Sequence, residues 1–244
     1  MNLDMMLGLH EPNTFEVARQ IITDGMLVWD VGANRGYFTV FFSRLAGKAG
    51  RVCAFEPIPA TFQALERACS RNHCLNVTLI AKAAAKNNGP VTMFLSASHY
   101  MSSLDANWAG RESGAITVDG ISLDSFVERA ERGPDFVKMD IEGGAVYALP
   151  GMEAIIKRYK PCLLLESHSP EEDHAIGRAL SIAEYTVFRV GDKTPVKDLT
   201  KDYTDLYGIY STVLGIPSAR ADILQHLKPE RFQQYRFGQR KSRE

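Results

Sequence analysis

The stretch that decides the fold is "VWDVGANRGYF", Val28 to Phe38. An apolar run closes on a carboxylate, Asp30, and Gly32 and Gly36 then lead into aromatic residues. That pattern reads as a buried strand, a tight turn and a helix whose N-terminus sits at the strand's tip. Such a helix start offers unpaired N–H groups and a positive dipole end, so it attracts an anion. A dinucleotide pyrophosphate is one candidate. The spacing here is G-x-x-x-G, however, not G-x-G-x-x-G, and a carboxylate at Asp30 would repel a diphosphate. A ligand with both an ammonium and a carboxylate fits better: the helix start takes its carboxylate, and Asp30 takes its ammonium directly or through water. S-adenosylmethionine has such an amino-acid end.

The next strand, "RVCAFEP", closes on Glu56. An acid at the end of strand two, roughly 20 residues beyond the glycine turn, accepts hydrogen bonds from ribose hydroxyls in dinucleotide folds. The ribose of S-adenosylmethionine would use it in the same way. A generic α/β turn with a solvated glutamate stays open beside this reading.

Outward from this unit, apolar runs of strand length alternate with stretches of helical period. "MLVWDVG", "RVCAFEP", "NVTLIAKAA", "DFVKMDIEG", "KPCLLLES", "YTVFRV" and "STVLGIP" read as strands. "GYFTVFFSRLAGKAG", "PATFQALERACSRN", "AVYALPGMEAIIKRY" and the segment near "PEEDHAIGRALSIAE" read as helices, and "GPVTMFLS" and "AITVDGIS" as shorter added strands around a loop. The main strands are mostly apolar rather than alternating, as strands buried on both faces are. The expectation is an α/β fold: a doubly wound, mostly parallel seven-stranded, Rossmann-like sheet with helices on both faces, binding its ligand at the strands' carboxyl ends. One domain spans 1–244, with a helical cap over 1–25, the core over 26–217, and a C-terminal helix and polar tail over 218–244.

Net charge is −1 across 244 residues. No global field therefore favours nucleic acid or an anionic membrane. No apolar run approaches a membrane span, and the start, "MNLDMMLGLHEPN", lacks the pattern of a signal peptide. The four cysteines show no paired zinc spacing. Cys53 and Cys162 sit in apolar runs as small core hydrophobes, which favours a reducing cytoplasm. The aromatic stripe of "FTVFFSRL" is explained by core packing.

Taken together, "HEPNTFEVARQIITDG", "DVGANRGYFT", "GRVCAFEPIPATFQAL", "NHCLNV", "VKMDIEGGAVYALPGM", "PCLLLESH" and "STVLGIP" resemble, in order from about His10 to Pro217, the FkbM family of S-adenosylmethionine-dependent methyltransferases. The resemblance implies a class I methyltransferase, usually an O-methyltransferase of small natural products, sugars or glycolipids. It implies that Asp30, Gly32, Ala33, Asn34, Gly36 and Thr39 form the loop around the methionine end. By the same resemblance Glu56, with Pro57, anchors the ribose, and Asp140 stands beside cofactor and substrate. One departure is "EGGA", which puts Ala145 where members often carry a second glutamate.

Methyl transfer to a hydroxyl is an in-line displacement that needs the acceptor held close and its proton removed. Lys138, Asp140 and Glu142 alternate along the fourth strand and would share a face. Either Lys138 pairs with one of the acids, or Asp140 serves as base or cofactor contact with Glu142 nearby. Glu166 and His168 fall at the next strand's end, where His168 could be a general base oriented by a carboxylate, or a surface histidine. Asp140, Glu166 and His168 could also hold Mg²⁺, a use not favoured for want of a spacing signature. His174 belongs on a solvated helix start whose acids suit the dipole. The loop "LSASHYMSSLDANWAGRESGA" reads as a lid or acceptor-recognition segment, with His99, Tyr100, Ser103 and Trp108 as acceptor contacts, or as a loop whose aromatics tuck into the core. By resemblance alone, His10 and Glu11 close over the same pocket.

The leading expectation is therefore an O-methyltransferase for a small hydroxylated acceptor, acting without nucleic acid, with a homodimer among the open oligomeric states. A nicotinamide-dependent oxidoreductase and a non-catalytic cofactor-binding module are the alternatives.

Overall fold

The computed structural model describes residues 11–95, 104, 114–128, 132–190 and 212–227. Seven strands make the main sheet: β1 (Leu27–Val31), β2 (Arg51–Phe55), β3 (Val77–Ile80), β7 (Phe136–Met139), β8 (Cys162–Leu165), β9 (Tyr185–Arg189) and β10 (Val213–Pro217). Their order is β3-β2-β1-β7-β8-β10-β9, with β10 antiparallel to both neighbours and the other pairs parallel. The expected doubly wound, mostly parallel sheet is what forms. All residues of β1, β7, β8 and β10 are buried, which is why these strands read as mostly apolar runs, with Asp30 and Lys138 the buried charges among them.

Helices cover both faces. On one side α1 (Pro12–Ile21) and α2 (Tyr37–Ala46) pack over Val28, Val52, Phe136 and Leu164. Phe15 of α1 meets the rings of Tyr37, Phe38 and Phe41 at 4.5–5.1 Å between centroids, so the aromatic stripe is core. On the other side, α4 (Leu123–Val127), α5 (Ala145–Ala148), α6 (Glu153–Tyr159) and α7 (Pro170–Leu180) pack over Trp29, Val31, Val137 and Leu163. The run read as one helix over "AVYALPGMEAIIKRY" is α5 and α6 separated by a 3₁₀ turn, Leu149–Gly151, because Pro150 lacks the N–H that a continuing α-helix needs. Helix α3 (Pro59–Arg71) links β2 to β3, and the short α8 (Asp222–His226) follows β10.

The segment read as a third strand, "NVTLIAKAA", divides. Beyond Ile80 the Lys82 amide donates back to the Ile80 carbonyl at 2.9 Å, and the chain turns out of the main sheet. Residues Ala83–Ala84 then form β4 of a separate three-stranded sheet, β4-β6-β5, with β5 (Gly89–Phe94) and β6 (Ala115–Ile121) antiparallel. The added strands are thus a second sheet standing beside the carboxyl end of β2 and β3.

Strand order reverses between β1 and β7, and this switch point is where open α/β sheets bind ligands. The Asp140 amide donates to the Val31 carbonyl at 3.0 Å, which brings the turn after β7 against the turn after β1.

Candidate active site

A cavity opens at that switch point. Its walls come from the β1 turn (Val31, Gly32, Asn34), the β2 end (Phe55, Glu56, Pro57), the second sheet and the β7 turn (Asp140, Glu142, Gly144). Apolar surface is supplied by Ile58, Ala83, Ala84, Met93 and Leu104.

Gly32 has φ +82, and a Cβ built there would lie 1.9 Å from the Asp140 carbonyl oxygen. Only glycine lets the two turns close on each other. Asn34 also has positive φ (+49), a region that asparagine tolerates better than most residues. Helix α2 then starts at Tyr37, with Gly36 as its N-cap and no side chain capping it, so its first amides are left for water or ligand.

Glu56 is 6% exposed. Its Oε2 accepts from the Asn34 amide at 3.0 Å and its Oε1 from the Ile58 amide at 2.9 Å. Burial pushes its carboxyl up to about 7, although both amides pull the other way. The solvated glutamate of the generic reading is not what forms: this carboxylate is pinned between two turns in the cavity wall.

Asp30 occupies a different place from the one its sequence position suggests. Side chains alternate along a strand. Val31 faces the cavity, so Asp30 faces α2, fully buried, where its Oδ2 accepts from the Thr39 hydroxyl at 2.5 Å. It stands behind the cavity wall and does not line it. Burial raises its carboxyl pKa against the opposing pull of Lys138 and Thr39. Oδ1 is buried with no hydrogen-bond partner among the described residues.

The expected Lys138–Asp140 pair forms, but strand alternation does not carry the whole arrangement. Strand β7 ends at Met139, and Asp140 to Gly144 form a turn in which Glu142 and Gly143 have positive φ. Strand alternation therefore does not align Lys138, Asp140 and Glu142. Lys138 is 3% exposed and pairs with Asp140 at 3.0 Å, its ammonium 4.7 Å from the Phe38 ring centroid. Burial works against its charge, but Asp140, Glu11, Asp30 and Glu166 more than compensate, and its pKa rises. Asp140 moves the other way: burial raises it, Lys138 and His168 outweigh that, and the net direction is down.

His168 gathers the remaining acids. Its Nε2 lies 3.5 Å from Glu166, 3.6 Å from Glu142 and 3.8 Å from Asp140, and its Nδ1 lies 3.1 Å from Glu172. Burial lowers its pKa, but contacts with Glu166 and Glu172 prevail and lift it to about 11. Burial and Asp140 push Glu166 up to about 7, against the hydrogen bond from His168. Asp140, Glu166 and His168 each offer one ligand atom within 4.8 Å of the others. A divalent cation would fit that spacing, and the contacts with Glu166 and Glu172 favour the charged form of the ring there.

Sequence reading missed Glu172. It stands with Ser169 in the S-x-x-E pattern of a capping box, and the Ser169 half forms: Ser169 Oγ accepts the Glu172 amide at 3.2 Å. The carboxylate does not fold back. It is 1% exposed and bonds Ala145 and His168 instead. Asp173 is likewise buried, paired with Arg189, so of the acids before the exposed His174 only Glu171 is solvated. Glu11 stands close enough for its charge to act on Lys138, Asp30 and Glu166. His10, His99, Tyr100, Ser103 and Trp108 lie outside the described residues. Among the described residues, no helix is long and apolar enough to cross a membrane.

This architecture is shared with methyltransferases of known structure. Methyltransferase FkbM from Methylobacillus flagellatus superposes with a TM-score of 0.54 at 20% identity, covering 79% of this chain and 44% of that one. An S-adenosylmethionine-dependent O-methyltransferase from Thermotoga maritima gives 0.51 at 12%, covering 88% and 70%. A putative methyltransferase from Streptococcus mutans, in complex with S-adenosylhomocysteine, gives 0.50 at 11%, covering 88% and 98%. The chain thus spans less than half the length of the Methylobacillus protein. Likeness at these identities defines the class by fold: a Rossmann-like, class I methyltransferase architecture. A search of curated protein sequences finds no match. Residues 30–191 match the methyltransferase FkbM domain, and the chain belongs to that family.

Proposed function

We propose that the chain transfers a methyl group from S-adenosylmethionine to a hydroxyl of a small natural product or sugar-containing metabolite. The observation that carries this reading is Glu56. A carboxylate held in the cavity wall by two backbone amides keeps its remaining lone pairs in a fixed direction, which suits the two hydroxyls of a ribose. Ile58, Ala84, Met93 and Leu104 offer apolar surface for the purine. The glycine turn and the uncapped start of α2 suit the methionine carboxylate. The orphaned Oδ1 of Asp30 is costly to bury unsatisfied, and the ammonium, or a water held by it, would satisfy it across the Gly32 turn.

The chemistry is balanced without a further co-reactant. The acceptor oxygen forms a bond to the methyl carbon as the carbon–sulfur bond breaks. The bond's electron pair stays on sulfur, giving S-adenosylhomocysteine. The hydroxyl proton must go to a base. Asp140 is a weak one, because Lys138 stabilises its charge, and His168 already holds a proton at neutral pH. Glu166, titrating near neutrality beside the His168 imidazolium, is the better acceptor. Asp140 and Glu142 then serve as contacts for the sulfonium and the acceptor.

Thermal unfolding with added ligand tests the cofactor. S-adenosylhomocysteine at about 100 times its Kd should stabilise the fold by about 2.7 kcal/mol, and NAD should leave the transition where it is. Stabilisation by NAD alone would favour the oxidoreductase alternative.

A further inference from the structure

Glu172 holds His168 at two points of the same residue. Its Oε2 accepts the His168 backbone amide at 2.7 Å and lies 3.1 Å from Nδ1 of the ring. Its Oε1 accepts the Ala145 amide at the start of α5, at 3.0 Å. Two backbone amides donate to this carboxylate, and a hydrogen on Nδ1 would make the ring its third donor. Ring geometry then directs Nε2 the other way, toward Glu166, Glu142 and Asp140.

We propose that Glu172 is a positioning residue for methyl transfer, fixing the His168 ring by backbone and side chain so that Nε2 faces Asp140 and Glu142 of the cavity wall and Glu166 beside them. This rests on reading the cavity as the methyl-transfer site.

A purely structural duty explains the arrangement less well. Helix α7 is already capped by Ser169, so its own N-terminus does not need Glu172. A carboxylate buried to 1% is costly unless donors surround it, and here two of its three acceptor contacts go to one residue, His168. The third fastens that residue to α5, directly after the turn that carries Asp140 and Glu142. One side chain therefore adds a tie between the β7 turn and the β8 turn, beyond the Glu166 amide's bond to the Met139 carbonyl at 2.8 Å where the strands end.

The test reads the ring directly. The full chain is labelled with ¹⁵N-histidine, and the His168 ring resonances are assigned by their loss in His168→Gln. In the parent at about pH 8, Nδ1 is expected to be protonated and hydrogen-bonded, with and without S-adenosylhomocysteine. Glu172→Gln should change that signature, because an amide presents its NH₂ or a weaker acceptor to Nδ1. Glu172→Asp, which keeps the charge, should restore it in part. If Glu172→Gln fails to fold, the parent spectrum decides, since an unprotonated Nδ1 there overturns the proposal. An unaltered ring signature in a folded Glu172→Gln does so too. Calorimetry with S-adenosylhomocysteine separates the two readings. A parent that fails to bind it removes the methyl-transfer assignment, whereas binding with an unaltered ring removes only the role of Glu172.

Discussion

Gly32→Ala is expected to lower stability by about 3–5 kcal/mol, combining a left-handed backbone with an overpacked contact. The reason is local and steric. At φ +82 an L-residue is strained, and the new methyl would sit 1.9 Å from the Asp140 carbonyl oxygen and 2.9 Å from the Ile141 side chain. A carbonyl cannot swing aside as a side chain can, and this one follows directly on β7. Relief must come from separating the β1 and β7 turns, which also opens the cavity. The melting temperature should fall by roughly 10 °C or more, with S-adenosylhomocysteine binding lost in whatever remains folded. Circular dichroism melts and calorimetry on the variant read both. A melt within a few degrees of the parent would mean that the two turns are not in contact.

The second large effect is on affinity. Glu56→Ala is expected to weaken S-adenosylhomocysteine binding by more than about 100-fold, since two charge-assisted hydrogen bonds to the ribose, each worth about 1.5–3 kcal/mol, disappear. The Asn34 and Ile58 amides lose their acceptor as well, so Glu56→Gln serves as the companion variant. It keeps the volume and one acceptor oxygen but not the charge. Proton linkage gives the same residue a second signature. Burial holds the Glu56 carboxyl near 7, and a diol is gripped best by the ionised form. Binding in acid must therefore expel a proton, so affinity falls about tenfold per pH unit below 7 and is flat above it. Titrations across that range in the parent and in Glu56→Gln check the sign. Equal slopes in both would assign the proton to another group.

Much of this was legible in the chain because the governing rules are local. Asp30-Val31-Gly32 reads as a strand running into a tight turn, and the mostly apolar β1, β7 and β8 announced a sheet covered on both faces. Glu56 was legible as the acid closing strand two. What escaped depends on where side chains point after the chain has turned. Asp30 lay in the right strand, but its face follows from alternation against Val31, and that face is α2, not the cavity. The break at Lys82 carries no glycine or proline, so a single long strand was the natural reading of "NVTLIAKAA". Glu172 read as a helix-start acid because its partners, Ala145 and His168, lie on other elements. Glu166 was visible as a possible orienter of His168 or, with Asp140 and His168, as a possible Mg²⁺ ligand. Its standing as proton acceptor depends on Lys138 occupying Asp140 and on the ring already holding its proton, which no spacing encodes.

The most direct test is a crystal structure of the full chain with S-adenosylhomocysteine. The expected placement has the ribose hydroxyls on the Glu56 carboxylate, the methionine end over the Gly32–Gly36 turn, and the sulfur directed toward the cluster of Asp140, Glu166 and His168. A ligand seated elsewhere, or with its ribose away from Glu56, would contradict it.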